Sequence, residues 1–326
     1  MTNNDMITAR GLARSFKTKA GPVEAVRAID LDVRAGEIVG LLGPNGAGKT
    51  TTLRMLTTLL MPTAGTATVA GHDLIGEPRA VRRRIGYVAQ VGAAPSAGTV
   101  VGEELVTQAR LQGLSKPDAT ARLHDVAPRL DLAGLEGRAL LELSGGQRRR
   151  FDVALGLMHS PQLLFLDEPT TGLDPQSRAN LWQHIRSLRD DAGVTVVLTT
   201  HYLDEADALA DRVLVMDDGQ IVADDTPNAL KARISGDVVT LGLSSPEDLQ
   251  RAEAVVRQAV SARDVVTTDA ALLVTVDDGA VAVAPLLRAL DSAGLNPTSI
   301  TVNRPTLDDV FLTLTGRSLR EGSEAA

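Results

Sequence analysis

The stretch GPNGAGKT, residues 43–50, constrains the fold of this chain more than any other segment. It matches the pattern G-x-x-x-x-G-K-[ST], in which backbone N–H groups wrap phosphate oxygens, the lysine reaches the β- and γ-phosphates and the hydroxyl binds Mg²⁺. An apolar strand-like stretch, EIVGLL, precedes it and a helical pattern follows, which disfavours the alternative of an ordinary glycine-rich turn. We therefore predict a nucleotide-binding phosphate loop formed by Gly43, Pro44, Asn45, Gly46, Ala47, Gly48, Lys49, Thr50 and Thr51.

The rest of the chain indicates an α/β domain followed by a smaller one. Apolar, β-branched stretches such as PQLLFLDE and GVTVVLTT alternate with helical patterns such as residues 177–190, which indicates a mainly parallel sheet covered by helices. At 326 residues the chain exceeds the usual size of one core, and after ARISGD the pattern changes to short strands and helices. We predict an α/β domain over residues 1–234, a small α+β domain over 235–317 and a polar, disordered tail over 318–326.

Composition excludes several classes of function. The net charge is −8 and the two RRR triplets are local, so we do not expect nucleic acid as the main partner. The chain has no cysteine, which excludes disulfide and thiol chemistry. No apolar run approaches the roughly 18 residues that a membrane helix needs. We therefore expect any membrane role to act through a partner.

A second motif, LLFLDEP at residues 163–169, is an apolar strand that ends in two carboxylates. Ligands of parallel sheets bind beyond the carboxyl ends of the strands, so this end should face the phosphate loop. Side chains alternate along a strand, so Asp167 and Glu168 should point in different directions. We predict that Asp167 holds Mg²⁺ through water and that Glu168 polarises the water that attacks the γ-phosphate. A capping role at the strand end is the alternative for Asp167.

Three further polar residues lie where strands or loops end. Gln90 follows the strand-like RRIGYVA, and its amide could meet Mg²⁺ or the attacking water, although taken alone it carries no special signal. His201 follows the apolar VTVVLTT, where a neutral imidazole could hydrogen-bond a γ-phosphate or serve structure alone. Asp174 precedes Pro175, which predicts a helix N-terminus with Asp174 as its cap.

The stretch LSGGQRRR, residues 143–150, has the chemistry of a second phosphate loop. It places a serine and two glycines at the start of a helical pattern, so it offers another set of free backbone N–H groups to an anion. No geometry for a single nucleotide obviously requires both sites. The residues alone leave open where the second site points.

The order of these motifs resembles that of ATP-binding subunits of ABC transporters over roughly residues 6–230. The segments that carry the resemblance are the phosphate loop, Gln90, LSGGQ, LLFLDEP, GLDP and TTHYLDEAD. The resemblance implies a P-loop NTPase fold of the ABC type with a helical subdomain, which binds ATP and Mg²⁺ and hydrolyses ATP.

The resemblance also implies a head-to-tail dimer of two copies around two ATP molecules. The γ-phosphate of ATP held on the phosphate loop of one copy would meet four residues of the other: Ser144, Gly145, Gly146 and Gln147. Asp174 would communicate between the two sites, and Phe16 occupies the place of the aromatic residue that stacks on adenine, a packed core phenylalanine being the alternative. The implied catalytic residues are Glu168, His201, which would clamp the γ-phosphate, and Gln90. The implied metal ligands are Thr50, Gln90 and Asp167.

The ending NRPTLDDVFLTLTGR, residues 303–317, resembles that of bacterial daunorubicin/doxorubicin-resistance ATP-binding proteins. This resemblance implies a separate membrane permease, export of drugs, lipids or secondary metabolites, and a peripheral position on the cytoplasmic face of the cell membrane. The stretch also predicts an amphipathic docking helix, and both interpretations can hold together. The residues on its apolar face are Leu307, Val310, Phe311 and Leu314.

Rival classes of protein find less support in the sequence. Tandem nucleotide domains, a long coiled-coil insertion or a basic linker would favour a soluble ABC ATPase that acts on ribosomes or DNA, and the sequence has none of them. LSGGQ and the His201 segment argue against a P-loop kinase or a switch GTPase. A non-catalytic regulatory subunit is disfavoured because the chain retains Lys49, Asp167, Glu168 and His201.

Overall fold

A computed structural model describes the chain over residues 5–19, 21–90, 92, 98–234, 236–243, 245–267, 271–304 and 306–315. The predicted tail, residues 318–326, lies outside these ranges. The chain divides into two compact units, with the first reaching Asp224 and the second beginning at Asp225. The boundary predicted after residue 234 lies one helix further along the chain.

The first unit combines a mainly parallel sheet, an antiparallel sheet and the helices that connect their strands. Its strands are β1 (Asp5–Thr18), β2 (Gly21–Arg34), β3 (Ile38–Leu42), β4 (Ala64–Val69), β5 (His72–Asp73), β6 (Ile85–Val88), β7 (Leu163–Asp167), β8 (Thr195–Thr200), β9 (Arg212–Asp217) and β10 (Gln220–Asp225). Its helices are α1 (Lys49–Leu56), α2 (Pro78–Arg84), α3 (Val101–Leu111), α4 (Lys116–Arg129), α5 (Gly145–Leu157), α6 (Pro175–Ala192) and α7 (Leu203–Leu209).

The central sheet has the strand order β10-β9-β3-β8-β7-β6, and its strands from β9 to β6 run parallel. Strands β3, β7 and β8 are buried along their whole length, because the sheet is covered on both faces. Alternate side chains therefore enter different cores: Leu164 packs with the helical side, and Phe165 packs with the antiparallel sheet. The carboxyl ends of these strands share one edge of the sheet.

The two other parts of the first unit flank this sheet. Strands in the order β2-β1-β4-β5 form the antiparallel sheet, whose buried residues pack with those of α1. On the other face, α3 packs against α4 and α5, and Phe151 of α5 is fully buried in their core. This helical layer corresponds to the expected helical subdomain.

The second unit is a small α+β domain. Its strands are β11 (Asp237–Gly242), β12 (Asp264–Thr267), β13 (Ala271–Val276) and β14 (Ser299–Asn303), and they form an antiparallel sheet in the order β12-β13-β11-β14. Its helices are α8 (Pro227–Ile234), α9 (Pro246–Ala259), α10 (Gly279–Ser292) and α11 (Leu307–Thr315). Helices α9 and α10 pack on the sheet, while α11 packs against α8. The predicted fold class of an α/β domain with a small α+β domain is confirmed.

Candidate functional site

The phosphate loop connects β3 to α1 and approaches neighbouring backbone closely. Gly46 and Gly48 have φ angles of 83° and 100°, which lie in the left-handed region that favours glycine. A Cβ on Gly43 would lie 2.3 Å from the Met216 carbonyl oxygen, and one on Gly48 would lie 2.5 Å from that of Ala25. The fold therefore requires glycines at these positions, independently of the role that they have in phosphate binding.

Lys49, the first residue of α1, lies folded over the phosphate loop with 4% of its surface exposed. Its Nζ donates to the carbonyl oxygens of Gly43 and Pro44, across 2.7 and 3.0 Å. Nζ also lies 3.9 Å from Glu168 Oε1. Burial lowers the pKa of Lys49, while the charges of Glu168 and Asp167 act in the opposite direction. The ammonium group thus links the loop to the end of β7.

Asp167 ends β7, and its carboxylate joins three elements. Its Oδ1 accepts hydrogen bonds from the hydroxyls of Thr50 on α1, across 2.9 Å, and Thr199 on β8, across 2.7 Å. The side chain is buried, so these contacts take the place of water. Asp167 therefore turns toward α1 and the phosphate loop.

Glu168 points to a different set of partners. Its Oε2 accepts hydrogen bonds from Gln90 Nε2 across 2.9 Å and from the Thr171 hydroxyl across 3.1 Å. His201 Nδ1 lies 3.3 Å from the same oxygen without hydrogen-bond alignment. Burial acts to raise the pKa of Glu168, but its polar neighbours, led by His201, outweigh burial and lower that pKa. Glu168 is therefore a carboxylate at neutral pH and can accept a proton.

The backbone of Glu168 is strained. Its φ angle is +43°, in a region that costs a residue with a side chain about 1–3 kcal/mol. Its N–H donates to Thr199, both to the hydroxyl, across 3.0 Å, and to the carbonyl oxygen, across 3.1 Å. Such strain persists only where the surrounding structure holds the backbone, and it is concentrated at functional sites.

One pocket of about 470 Å³ collects part of the predicted site, and its lining comprises Ala25, residues 44–51, Gln90 and Glu168. The other predicted site residues that the structure describes do not line it: Phe16, Gly43, Asp167, residues 144–147, Asp174 and His201. Asp167 and His201 nevertheless contact lining residues, through Thr50 and Glu168 respectively.

Residues 143–147, the signature segment, lead into the first turn of α5. The Ser144 hydroxyl accepts from the Gln147 N–H across 3.3 Å, and Gln147 Oε1 accepts from the Ser144 N–H across 3.0 Å, which makes a capping box. Gly146 packs against α6, because a Cβ there would lie 2.7 Å from Ser177 Oγ. No described atom lies within 4 Å of the Cβ position of Gly145. The segment is therefore preorganised by its own side chains and open on one side.

Asp174 caps α6, as its position before Pro175 predicts. Its Oδ1 accepts from the Ser177 N–H across 2.9 Å. Hydrogen bonds from Ser177 lower the pKa of the Asp174 carboxyl. The cap gives Asp174 a structural role, which is independent of the communication between two nucleotide sites that the family resemblance implies.

Phe16 lies on β1 and is 37% exposed, so it is not a buried core residue. The Arg14 guanidinium lies 4.7 Å from the centre of its ring, within cation–π distance. The ring is thus oriented by a neighbour on its own strand while part of its surface faces outward.

Four residues around the site were not predicted from the sequence. Thr199 and Thr171 bond the two carboxylates, and a hydroxyl next to a motif gives no distinctive signal. Glu205 of α7 is fully buried, with burial raising the pKa of its carboxyl, and Trp182 Nε1 donates to its Oε1 across 3.1 Å. Arg149 of α5 is also buried and bonds the backbone around Glu168. The sequence shows three consecutive arginines, but it does not show which of them faces inward.

The fold and the arrangement around Glu168 define the chain as an ATP-binding cassette, the ATPase component of ABC transporters. The family described as ABC transporter matches residues 26–171, and the family described as ATP-binding protein DrrA1-3-like, C-terminal domain, matches residues 226–315. The chain is 44% identical over 311 residues to the daunorubicin/doxorubicin resistance ATP-binding protein DrrA of Streptomyces peucetius, a comparison that covers 92% of each chain. The chain belongs to this family of ATP-binding proteins.

Further relatives extend the comparison. The doxorubicin resistance ATP-binding protein DrrA of Mycobacterium tuberculosis is 41% identical over 97% of this chain and 95% of its own. The Nod factor export ATP-binding protein I of Burkholderia orbicola is 37% identical over 94% of this chain and 97% of its own. The prediction of an ABC transporter ATPase, rather than a soluble ABC ATPase acting on ribosomes or DNA, is confirmed.

Solved structures support the fold. The dimeric ATP-binding cassette MJ0796, bound to ADP and Pi, superposes with a TM-score of 0.61 at 24% identity and covers 68% of this chain and 98% of its own. CbiO1 of Clostridium perfringens, part of an ABC transporter complex, superposes with a TM-score of 0.62 at 24% identity, over 71% of this chain and 92% of its own. Among the residues that the structure describes, no helix is long and apolar enough to cross a membrane.

Proposed function

We propose that two copies of this chain close head to tail around two Mg²⁺-bound ATP molecules and power a separate membrane permease that exports drugs, lipids or secondary metabolites. The observation that carries the proposal is the hydrogen bond between Gln90 and Glu168 in the pocket of the phosphate loop. A carboxylate with a lowered pKa beside the phosphate loop supports the role of Glu168 as the base in ATP hydrolysis.

In this proposal each polar residue of the site has one task in hydrolysis. Lys49 neutralises the β- and γ-phosphates, and Glu168 accepts the proton of the attacking water. Gln90, bonded to Glu168, orients that water. His201, whose Nδ1 lies 3.3 Å from the same Glu168 oxygen, donates to the γ-phosphate.

The residues beside the phosphate loop also fit Mg²⁺. The described residues contain no group of three or more His, Cys, Asp or Glu side chains that could hold a metal ion alone. Mg²⁺ usually takes one or two protein oxygens and completes its shell with phosphates and water. Such a donor set is present here: the Thr50 hydroxyl and Asp167 Oδ1 lie 2.9 Å apart, and the Gln90 amide oxygen can complete the set. Bound there, Mg²⁺ would neutralise charge on the phosphates.

The position of the signature segment supports the proposed dimer. Residues 144–147 begin α5 with backbone N–H groups suited to an anion, yet they do not line the pocket of this chain's own phosphate loop. A second copy arranged head to tail would bring its γ-phosphate to them. The MJ0796 cassette, which shares the fold, was solved as a dimer with ADP and Pi.

The permease connection rests on the relatives. Their names refer to drug resistance and Nod factor export. We place this chain on the cytoplasmic face of the membrane, held there by the permease. A groove of about 430 Å³, lined by Tyr87, Gly92, Glu104, Asp152 and His159 among others, is the surface that we assign to permease docking.

The first test uses a Glu168→Gln variant of the purified full chain. We expect it to bind ATP, lose turnover and elute as an ATP-stabilised dimer in size-exclusion chromatography, because bound ATP closes the dimer and is no longer cleaved. Glu103→Gln, on α3, is the matched control and should turn over ATP like the parent chain. Normal turnover by Glu168→Gln would remove Glu168 from the role of base.

The second test addresses the shared site. A Lys49→Ala subunit mixed with a Ser144→Arg subunit yields dimers with one intact composite site, whereas each variant alone yields none. We expect ATPase activity to reappear on mixing. Two variants that each keep full activity alone would contradict a site shared between copies.

A further inference from the structure

Arg149 lies on the second turn of α5, between two other arginines, and its side chain faces inward. It is 7% exposed. The next residue, Arg150, makes contacts within the helical layer instead: its Nε donates to the Leu130 carbonyl oxygen and its Nη1 to Asn180 Oδ1. The two arginines therefore connect the same helix to different parts of the unit.

Within the described part of the chain, the Arg149 guanidinium makes four hydrogen bonds, and all of them go to main-chain carbonyl oxygens. The acceptors are those of Pro169 (2.6 Å), Ala89 (2.7 Å), Asp167 (3.1 Å) and Glu168 (3.3 Å). Ala89 directly precedes Gln90, and the other three carbonyls surround Glu168. One side chain thus holds the backbone beside both the amide and the carboxylate of the proposed site.

These contacts compensate a buried cation. Asp152 lies 3.9 Å from Arg149 Nη1, which is too far for a hydrogen bond, so the carbonyl oxygens satisfy the guanidinium N–H groups. A buried charge that loses its partners is strongly destabilising, so α5 and the ends of β6 and β7 should move together. A planar guanidinium presents its donors in fixed directions, and a lysine ammonium cannot reproduce them.

The strained residue of the site is held from both ends. The N–H of Glu168, whose φ angle is +43°, donates to Thr199 on β8. Its carbonyl oxygen accepts from Arg149 on α5. Since strain of this kind persists only where its surroundings enforce it, a displacement of Arg149 would release the backbone that aims the carboxylate.

We propose that Arg149 is a positioning residue that ties Glu168 and Gln90 to the start of α5, so that nucleotide of a second copy bound at residues 144–147 aligns this chain's own hydrolytic groups. The inference rests on the proposed function, because it needs the shared site. It makes α5 a connection between two sites: its first turn contacts one nucleotide, and its second turn sets the geometry at the other.

The direct test is Arg149→Lys in the full chain, with Arg150→Lys as the matched control. We expect Arg149→Lys to lower kcat by about tenfold or more while KM for ATP changes less than about twofold, because it misplaces groups that act in the transition state and leaves the phosphate loop intact. Arg150→Lys should keep kcat, and thermal melting checks that both variants fold. Equal kcat values for the two variants would overturn the positioning role. If Arg149→Lys does not fold, Arg149→Gln, which keeps planar N–H donors, serves the same comparison.

The connection between sites is tested in mixed dimers, isolated through two affinity tags, in which only one subunit retains Glu168. Ser144→Arg in that subunit prevents it from binding its partner's nucleotide, and turnover at its own site should fall. With Arg149→Lys in the same subunit, the additional loss from Ser144→Arg should shrink several-fold, because the path between the sites is already broken. If Ser144→Arg lowers turnover by the same factor with and without Arg149→Lys, the two residues act independently and the connection is refuted. A parent chain without ATPase activity or without ATP-stabilised dimers would instead refute the proposed function.

Discussion

Gln90 and Glu168 lie 78 positions apart in the chain, yet Gln90 Nε2 donates to Glu168 Oε2 across 2.9 Å. The two residues follow β6 and β7, which are neighbours and run parallel. Parallel neighbours bring their carboxyl ends to one edge, so the residues after them meet. The pair joins an amide and a carboxylate next to the phosphate loop.

Thr171→Val should shift the pH dependence of hydrolysis. The Thr171 hydroxyl donates to Glu168 Oε2 and helps to lower the pKa of that carboxyl, so its removal should raise the pKa. Because a base must be deprotonated, the acid limb of kcat against pH should move to higher pH, with kcat retained on the alkaline side. Thr120→Val, at a half-buried residue of α4 whose hydroxyl donates to the Lys116 carbonyl oxygen, is the control. If the acid limb of the pH profile does not move, Thr171 does not influence the pKa of the catalytic base.

Thr50→Val should weaken Mg²⁺ binding, so that ATPase activity requires a higher Mg²⁺ concentration. Without the hydroxyl beside Asp167, the Mg²⁺ concentration for half-maximal ATPase activity should rise about tenfold or more. Thr50→Ser keeps the hydroxyl and should resemble the parent chain. The measurement is a Mg²⁺ titration at saturating ATP. Equal midpoints for the valine and serine variants would exclude the Thr50 hydroxyl as a ligand.

Phe16→Ala should lower ATP affinity more than stability. If adenine stacks on the exposed face of the ring, its loss removes about 1–3 kcal/mol of binding free energy. Titration with a fluorescent ATP analogue gives Kd, and thermal melting gives stability. Val222→Ala, at an exposed apolar residue of β10, is the control. A lower melting temperature with unchanged Kd would assign Phe16 to packing alone.

Glu205→Gln should stabilise the chain more at high pH than at low pH. Burial raises the pKa of the Glu205 carboxyl in the folded chain, although Thr200, Thr170, Trp182 and Arg178 oppose the shift. The folded state therefore loses stability relative to the unfolded state as pH rises from the unfolded pKa through the folded one. Glutamine has no proton to lose and can still accept from Trp182. Melting temperatures at pH 5 and pH 8 should show a larger gain at pH 8, and a gain that falls with pH would contradict the burial argument.

Phe311→Ala should destabilise the second unit far more than Leu314→Ala. Both residues were predicted on one apolar face of α11, but Phe311 is fully buried and Leu314 is 42% exposed. Truncation of a buried phenylalanine costs about 3–5 kcal/mol. In denaturant unfolding of the full chain, Phe311→Ala should lower the denaturant concentration at which the second unit unfolds. Nucleotide binding by the first unit should be retained. Similar transitions for both variants would place Phe311 outside the core.

Much of the site was predictable because its motifs are local. The phosphate loop needs glycines, a lysine and a hydroxyl within eight consecutive residues, and the strand LLFLD needs only a short apolar run before its carboxylates. Asp174 followed from the helix cap that it forms with the residues after it. In each case the backbone requirement and the chemistry lie in the same few residues.

The sequence by itself determined which groups the chain carries and the type of element that holds each, because strand and helix periodicity are written over short windows. Only the tertiary structure decided their partners. The order β6-β7-β8 joins Gln90, Asp167 and Thr199 around one edge, and the packing of α5 on that edge selects Arg149 from three consecutive arginines. Strand order and burial arise from contacts between segments that are distant in the sequence, so a local sequence pattern cannot predict them.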